Sequence, residues 1–285
     1  MRRVIVVAAL GGALAVPPAV AAATDDGRPT APVTLSASPQ RLDIVAGLPC
    51  LPAPKITLGM ANTISEPSFG DAMLTAQAPL ALSRGMFSSY LPVGRTVTAP
   101  LTVRAPHGTT PGEYTVSLTS GRSELTVPVH VSAPPPQQPG DNLLRGAQAN
   151  GTSTYVTSST EFNPCGGTDG DRRWTQATGW QSAGSGQFPV YYTVTLPEPE
   201  TMNRIDLYTS NSTAAKPQTH GVRDYDVQVL TAGGEWQTVA QVRGNIVVKS
   251  TSSFPAVRTT GVRIAVLASN NADYARIAEV EAYLD

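Results

Sequence analysis

Charge is scarce in this chain. Charged residues make up 14% of 285, and the formal net charge is −1. A polyanion finds no electrostatic footprint on such a chain, which argues against nucleic acid as a partner. Cysteine occurs only as Cys50 and Cys165, with no CxxC spacing and no neighbouring histidine cluster, which argues against zinc. Catalytic fingerprints are missing too: there is no Gly-x-Ser-x-Gly elbow, His-Glu-x-x-His pair, phosphate-binding loop or dinucleotide fingerprint. A glycosidase needs two carboxylates opposed across a cleft. Here Asp206, Asp224, Asp226, Glu279 and Glu281 fall on strand-like segments, where solvated or ion-binding acids are the simpler reading. The chain reads as a non-enzyme.

Gly and Pro are plentiful, at 25 each, alongside abundant Thr, Ser and Val. That mixture favours short strands and turns over helices, and the length allows about two domains. Met1-Arg2-Arg3, the apolar run Val4 to Val16 and the small residues Ala21-Ala22-Ala23 read as a signal peptide over 1–23. No later apolar run has spanning length, so an exported, secreted protein is expected, with a polar leader over 24–31. Export permits a Cys50–Cys165 bridge, but the two residues fall in different predicted domains, and the sequence leaves their pairing open.

From 32 to 131 the text is strand after strand. Val33–Ala37, Lys55–Met60, Val97–Val103 and a hairpin of Tyr114–Leu118 with Leu125–Val131 across Ser120-Gly121-Arg122 predict a β-sandwich. His107 and His130 lack Cys or carboxylate partners nearby in sequence and read as structural or solvated. Proline density over 132–140 predicts an extended, semi-rigid linker. A second all-β unit follows over 141–285. Its strands include Val190–Leu196, with Tyr192, Val194 and Leu196 on one face, then Asn203–Tyr208, Asp224–Leu230, Gly261–Val266 and Ile277–Tyr283. The turn Asp169-Gly170-Asp171 is rich in oxygen donors and suits either a hard cation or a plain Asx-type turn.

Two resemblances follow. The run Gly94 to Leu101 with Pro111 to Val116 resembles the closing half of immunoglobulin-like modules that accompany bacterial glycosidases. That implies an immunoglobulin-like sandwich with a spacer or accessory role. Over 141–285 the ordered set Asn142-Leu143, Gly146-Ala147, Asp169-Gly170-Asp171, Thr178-Gly179-Trp180, Tyr192–Leu196, Asn203-Arg204-Ile205, Asp224–Gln228, Trp236, Val262-Arg263-Ile264 and Ala278–Tyr283 resembles the discoidin or F5/8 type C family, in the branch shared with family 32 carbohydrate-binding modules. The resemblance implies a jelly-roll β-sandwich with ligand loops at one end. It also implies a structural Ca²⁺ held by Asp169, Asp171 (through carbonyls around it), Thr178 and Glu279, with Glu281 as the fallback. The spacing departs from the family pattern, because Arg172 to Ala177 intervene before the Thr-x-Trp.

Such modules bind sugar by stacking an aromatic ring on the pyranose and hydrogen-bonding its hydroxyls. The loop from Thr209 to Arg223 supplies Asn211, Lys216, His220 and Arg223, and two further loops supply Trp174 and then Asn271 and Tyr274. Trp180 and Trp236 read as core or near-core, and Arg223 beside Asp224 reads equally as a structural ion pair. The expectation is a secreted protein that recognises a polysaccharide or glycoconjugate through its C-terminal domain. Polar loop tips disfavour a membrane. The alternatives are an adhesion or scaffold protein with a protein partner, or an accessory module of a glycoside hydrolase system. A signal peptide at one end and a final strand at the other point to a complete small protein.

Overall fold

A computed structural model describes residues 33–158, 160–175 and 178–285. The expected signal peptide and leader lie outside them. Among the described residues no helix is long and apolar enough to cross a membrane.

The N-terminal half consists of β1 (Val33–Ser38), β2 (Leu42–Val45), β3 (Lys55–Asn62), β4 (Ser68–Ala76), β5 (Ala81–Leu82), β6 (Met86–Leu91), β7 (Thr96–Arg104), β8 (Gly112–Ser120) and β9 (Ser123–Ser132). Two sheets, ordered β1-β3-β7-β5 and β2-β9-β8-β4-β6, face each other across one core. Period-two alternation drives this packing: Ile56, Leu58 and Met60 are fully buried opposite Leu118, Val129 and Val131, while Lys55 and Thr57 face water. The β8–β9 hairpin closes on Gly121 and Arg122, with Ser120 paired to Ser123 and Gly121 at φ 56°. The same register sets His130 opposite Glu113, and the two side chains meet at 2.9 Å. The sequence offered no such partner, because strand pairing brings it from 17 residues away.

The C-terminal half contains β10 (Gln148–Gly151), a 3-10 turn (Pro164–Gly167), β11 (Trp180–Gln181), β12 (Val190–Thr209), the short α1 (Pro217–His220), β13 (Val222–Leu230), β14 (Trp236–Val242), β15 (Lys249–Ser269) and β16 (Arg276–Tyr283). The segments expected as separate strands over 190–196 and 203–208 are one 20-residue strand, bent by register shifts after Thr195 and Met202. Its first part pairs with Gly261–Val266 and its second with Lys249–Ser253, so β12 and β15 stay paired across the bend in one seven-stranded sheet ordered β11-β16-β12-β15-β13-β14, with β10 on β12. The start of β15 is Ser- and Thr-rich and shows no alternation, which is why sequence pattern alone misses it. Tyr192, Val194 and Leu196 are buried together with Trp180, Ile205, Leu207 and Val280 in the common core. Trp236 is half-buried instead, its ring 4.4 Å from the Arg263 guanidinium.

The halves are joined twice. Besides the proline-rich linker, the loop from Gly47 to Pro54 leaves the first sandwich and meets the second. There Cys50 forms a disulfide with Cys165 and its amide donates to the Gly146 carbonyl. Arg104 donates to the Pro49 carbonyl, and His107 lies 3.9 Å from Glu198. Cys50 belongs to the C-terminal core although its chain segment belongs to the N-terminal half.

Candidate functional site at the loop end of the C-terminal sandwich

β16 is buried at every position from Arg276 to Tyr283, so each charged residue in it must be matched by the fold. Arg276, only 7% exposed, is the first of them. Its backbone pairs with Gln181, and its Nε donates to the Gln181 Oε1 at 3.2 Å. The Nη atoms are served less well. Nη1 reaches the His220 carbonyl at 3.3 Å and Asn271 Oδ1 and the Tyr274 carbonyl at 3.5 Å each, while Nη2 stands 3.9 Å from Asp273. Burial pushes the guanidinium below its ordinary value, with Asp273 opposing that shift, but arginine keeps its proton. The Tyr274 and Trp174 rings flank it, at 5.1 and 6.0 Å.

An aromatic wall continues from there. Tyr274 meets Tyr155 edge-on at 5.5 Å, Tyr155 meets Phe162, and Phe162 stacks on Trp174 at 5.3 Å. With Phe162 on one face, Trp174 serves as a half-buried wall of the site, and its indole Nε1 is buried without a partner among the described residues. Asn211 fixes that wall: its Oδ1 accepts from the Trp174 amide at 2.9 Å and its Nδ2 donates to the Arg172 carbonyl at 2.8 Å. Asn211 is therefore a clamp between two loops. Asn271 is a turn residue, accepting from Ser269 Oγ and from the Asp273 amide. His220 ends α1 at the edge of the site, with its ring on Thr219 Oγ1. Lys216 is exposed at the N-terminal edge of α1, and Arg223 is exposed in an ion pair with Asp224 at 2.9 Å. Of the residues named for sugar, the structure gathers Trp174, His220, Asn271 and Tyr274 around one guanidinium, and Asn211 reaches it only through Trp174. Sequence reasoning missed Arg276, Tyr155 and Phe162. The available signal was a lone Arg opening a strand whose other charged residues are the two glutamates Glu279 and Glu281.

The organising turn lies beside the same strand. Gly170, at φ 91°, lets the chain reverse so that its amide donates to Glu279 Oε1 at 3.1 Å. Glu279 is fully buried, and its Oε2 has no partner among the described residues. Burial, reinforced by the neighbouring Asp169 carboxylate, pushes Glu279 up to about 9, and burial also raises Asp169. Two adjacent acids, Glu279 buried and Asp169 half-buried, with an orphaned oxygen fit a hard cation, whose charge would relieve both. The side chains of Asp171 and Thr178 make other contacts, which leaves the carbonyls around Asp171 as the donors expected there. The Asp171 carboxylate is held low by the Arg173 guanidinium at 2.7 Å, and Thr178 Oγ1 donates to the Arg173 carbonyl at 2.6 Å. Glu281, the fallback, takes a bidentate Arg172 and the Tyr283 hydroxyl. Among the described residues no three His, Cys, Asp or Glu side chains converge as a metal cluster, so further ligands would have to be carbonyls or hydroxyls.

The fold is an all-β sandwich with an aromatic-and-arginine cluster on loops beside its last strand. Residues 148–280 match the F5/8 type C domain. Solved structures similar to this half include the family 32 carbohydrate-binding module of Streptococcus pneumoniae EndoD (20% identity, 51% of this chain and 100% of that one, TM-score 0.43). A chitosan-binding module of a chitosanase/glucanase from Paenibacillus sp. IK-5 is similar at 22% identity, over 50% of this chain and 98% of that one, with a TM-score of 0.41. The family 32 module of Clostridium perfringens NanJ, solved with galactose, is similar at 16% identity over 47% and 91%, with a TM-score of 0.39. No curated protein matches the chain.

Proposed function

We propose that this chain is a secreted, non-catalytic glycan-binding protein whose C-terminal domain takes a sugar at the loops around Arg276. One observation carries the reading: a buried guanidinium, fixed on Gln181, whose Nη donors make only long contacts within the protein and lie between two aromatic rings. A planar fork of donors suits neighbouring hydroxyls, and aromatic rings suit the C–H face of a pyranose. Ca²⁺ on Asp169 and Glu279 would hold the early turn to the last strand and so steady the site from below. The test is a glycan array with the whole chain, repeated with Arg276→Met. Binding of a defined sugar that disappears in the variant supports the reading, and a folded protein that ignores every glycan ends it.

Adhesion to a protein partner is the second reading, favoured by one feature of the N-terminal half. Phe69 (74% exposed) and Tyr90 pair edge-on across β4 and β6, beside the exposed Met73 and Met86. A blank array together with cell adhesion that is lost in Phe69→Asp would favour it.

A further inference from the structure

The two halves enclose a cleft that the sugar site does not use. It measures about 560 Å³, within the range typical of small-molecule sites, and lies at a domain boundary, where such sites concentrate. Val45, Leu48, Leu51 and Val103 line it from the N-terminal half, and Leu196 and Pro197 from the C-terminal half. Several of its walls are proline-stiffened, and the Cys50–Cys165 bridge fixes the loop that closes it. Water gains little against such a surface. At one end the cleft shares Leu51, Pro52 and Arg104 with a smaller, more polar cavity of about 230 Å³ that also touches Glu161, Asn163 and Asp169. An apolar chamber therefore opens onto a hydrogen-bonding mouth with an arginine at the junction.

We infer that this cleft binds a single-chain amphiphile, with its alkyl or acyl tail among Val45, Leu51 and Leu196 and its oxygen-bearing head at Arg104 and Asn163. The shape of the chemistry carries the choice. A wholly apolar ligand would leave the mouth unmatched, and a free sugar would lie mostly against apolar walls, because the chamber's polar side chains are only Asp43, Arg104, His107, Gln148 and Thr195. The head can be a carboxylate, drawn to the guanidinium, or a glycoside whose hydroxyls meet Arg104, Asn163 and Glu161. This site is independent of Arg276.

The experiment is titration calorimetry of the whole chain with laurate and, separately, with dodecyl maltoside, each below its micelle concentration. Saturable binding at one molecule per chain is expected. It should weaken at least tenfold in Val45→Glu and in Pro197→Arg, which alter exposed positions on opposite walls. Arg276→Met should leave it unchanged. Arg104→Gln should weaken laurate more than the maltoside if the head is a carboxylate, and both alike if it is a glycoside. Binding without a defined stoichiometry, no binding, or binding indifferent to both wall variants would overturn the proposal. Melting curves of the two wall variants show that they are folded.

Discussion

Arg276 concentrates the chemistry of the proposed sugar site because it is charged, buried and under-satisfied at once. Replacing it with Met keeps most of the volume and removes the donors. Sugar affinity should then fall at least tenfold, since a hydrogen bond to a charged group contributes about 1.5–3 kcal/mol. Calorimetry with whichever glycan binds the parent chain reads this directly. Glu279 supports a prediction of a different kind. Its folded value of about 9 exceeds the ordinary 4.5, so without a cation the native state holds the proton more tightly than the unfolded chain does. Stability in chelator should therefore be fullest below pH 4.5 and decline as pH rises toward 9. Added calcium should raise the melting temperature at pH 8, and Glu279→Gln should erase both the decline and the calcium effect. A melting temperature indifferent to calcium would remove the ion from the account.

Loops, more than strands, decide whether the side chains meet. Asn211→Ala deletes both hydrogen bonds that hold the Arg172–Trp174 segment to the loop after β12. It should cost about 1–2 kcal/mol of stability, weaken sugar binding several-fold and shift the emission of Trp174. Gly166 is more stringent. A Cβ there would lie 2.4 Å from the Gly179 backbone nitrogen, so Gly166→Ala must push apart the turn carrying Cys165 and the segment entering Trp180. A loss of about 1–3 kcal/mol in chemical denaturation is expected. Legibility also divides at this scale. The alternation of Tyr192, Val194 and Leu196 announced β12, and the Asp-Gly-Asp turn announced a carboxylate-rich corner. The first half of β15 was invisible because its Ser- and Thr-rich face lacks periodicity, and Arg276 was invisible as a site because burial, not residue type, makes it one.

Across the whole molecule, the disulfide changes what the linker means. A proline-rich segment between sandwiches would by itself be a semi-rigid spacer, but Cys50 and Cys165, 115 residues apart, close a second covalent path. The double variant Cys50→Ser, Cys165→Ser should show a larger radius of gyration by small-angle scattering and lose about 2–4 kcal/mol of stability. Its sugar affinity should stay unchanged, because Arg276, Trp174 and Tyr274 all belong to the C-terminal half. Amphiphile binding should fall, because the cleft needs both halves docked.

Composition, period-two alternation and the ordered set of motifs over 141–285 determined the all-β class and the F5/8 type C resemblance, because strand pattern is written locally in which residues alternate. The proline run at 132–140 predicted a boundary for the same reason: a missing amide is a local property. Which carboxylate loses its partner, which arginine is desolvated between aromatics, and whether two distant cysteines meet depend on strand register and domain docking. Those bring together residues tens of positions apart, and only the tertiary structure sets them.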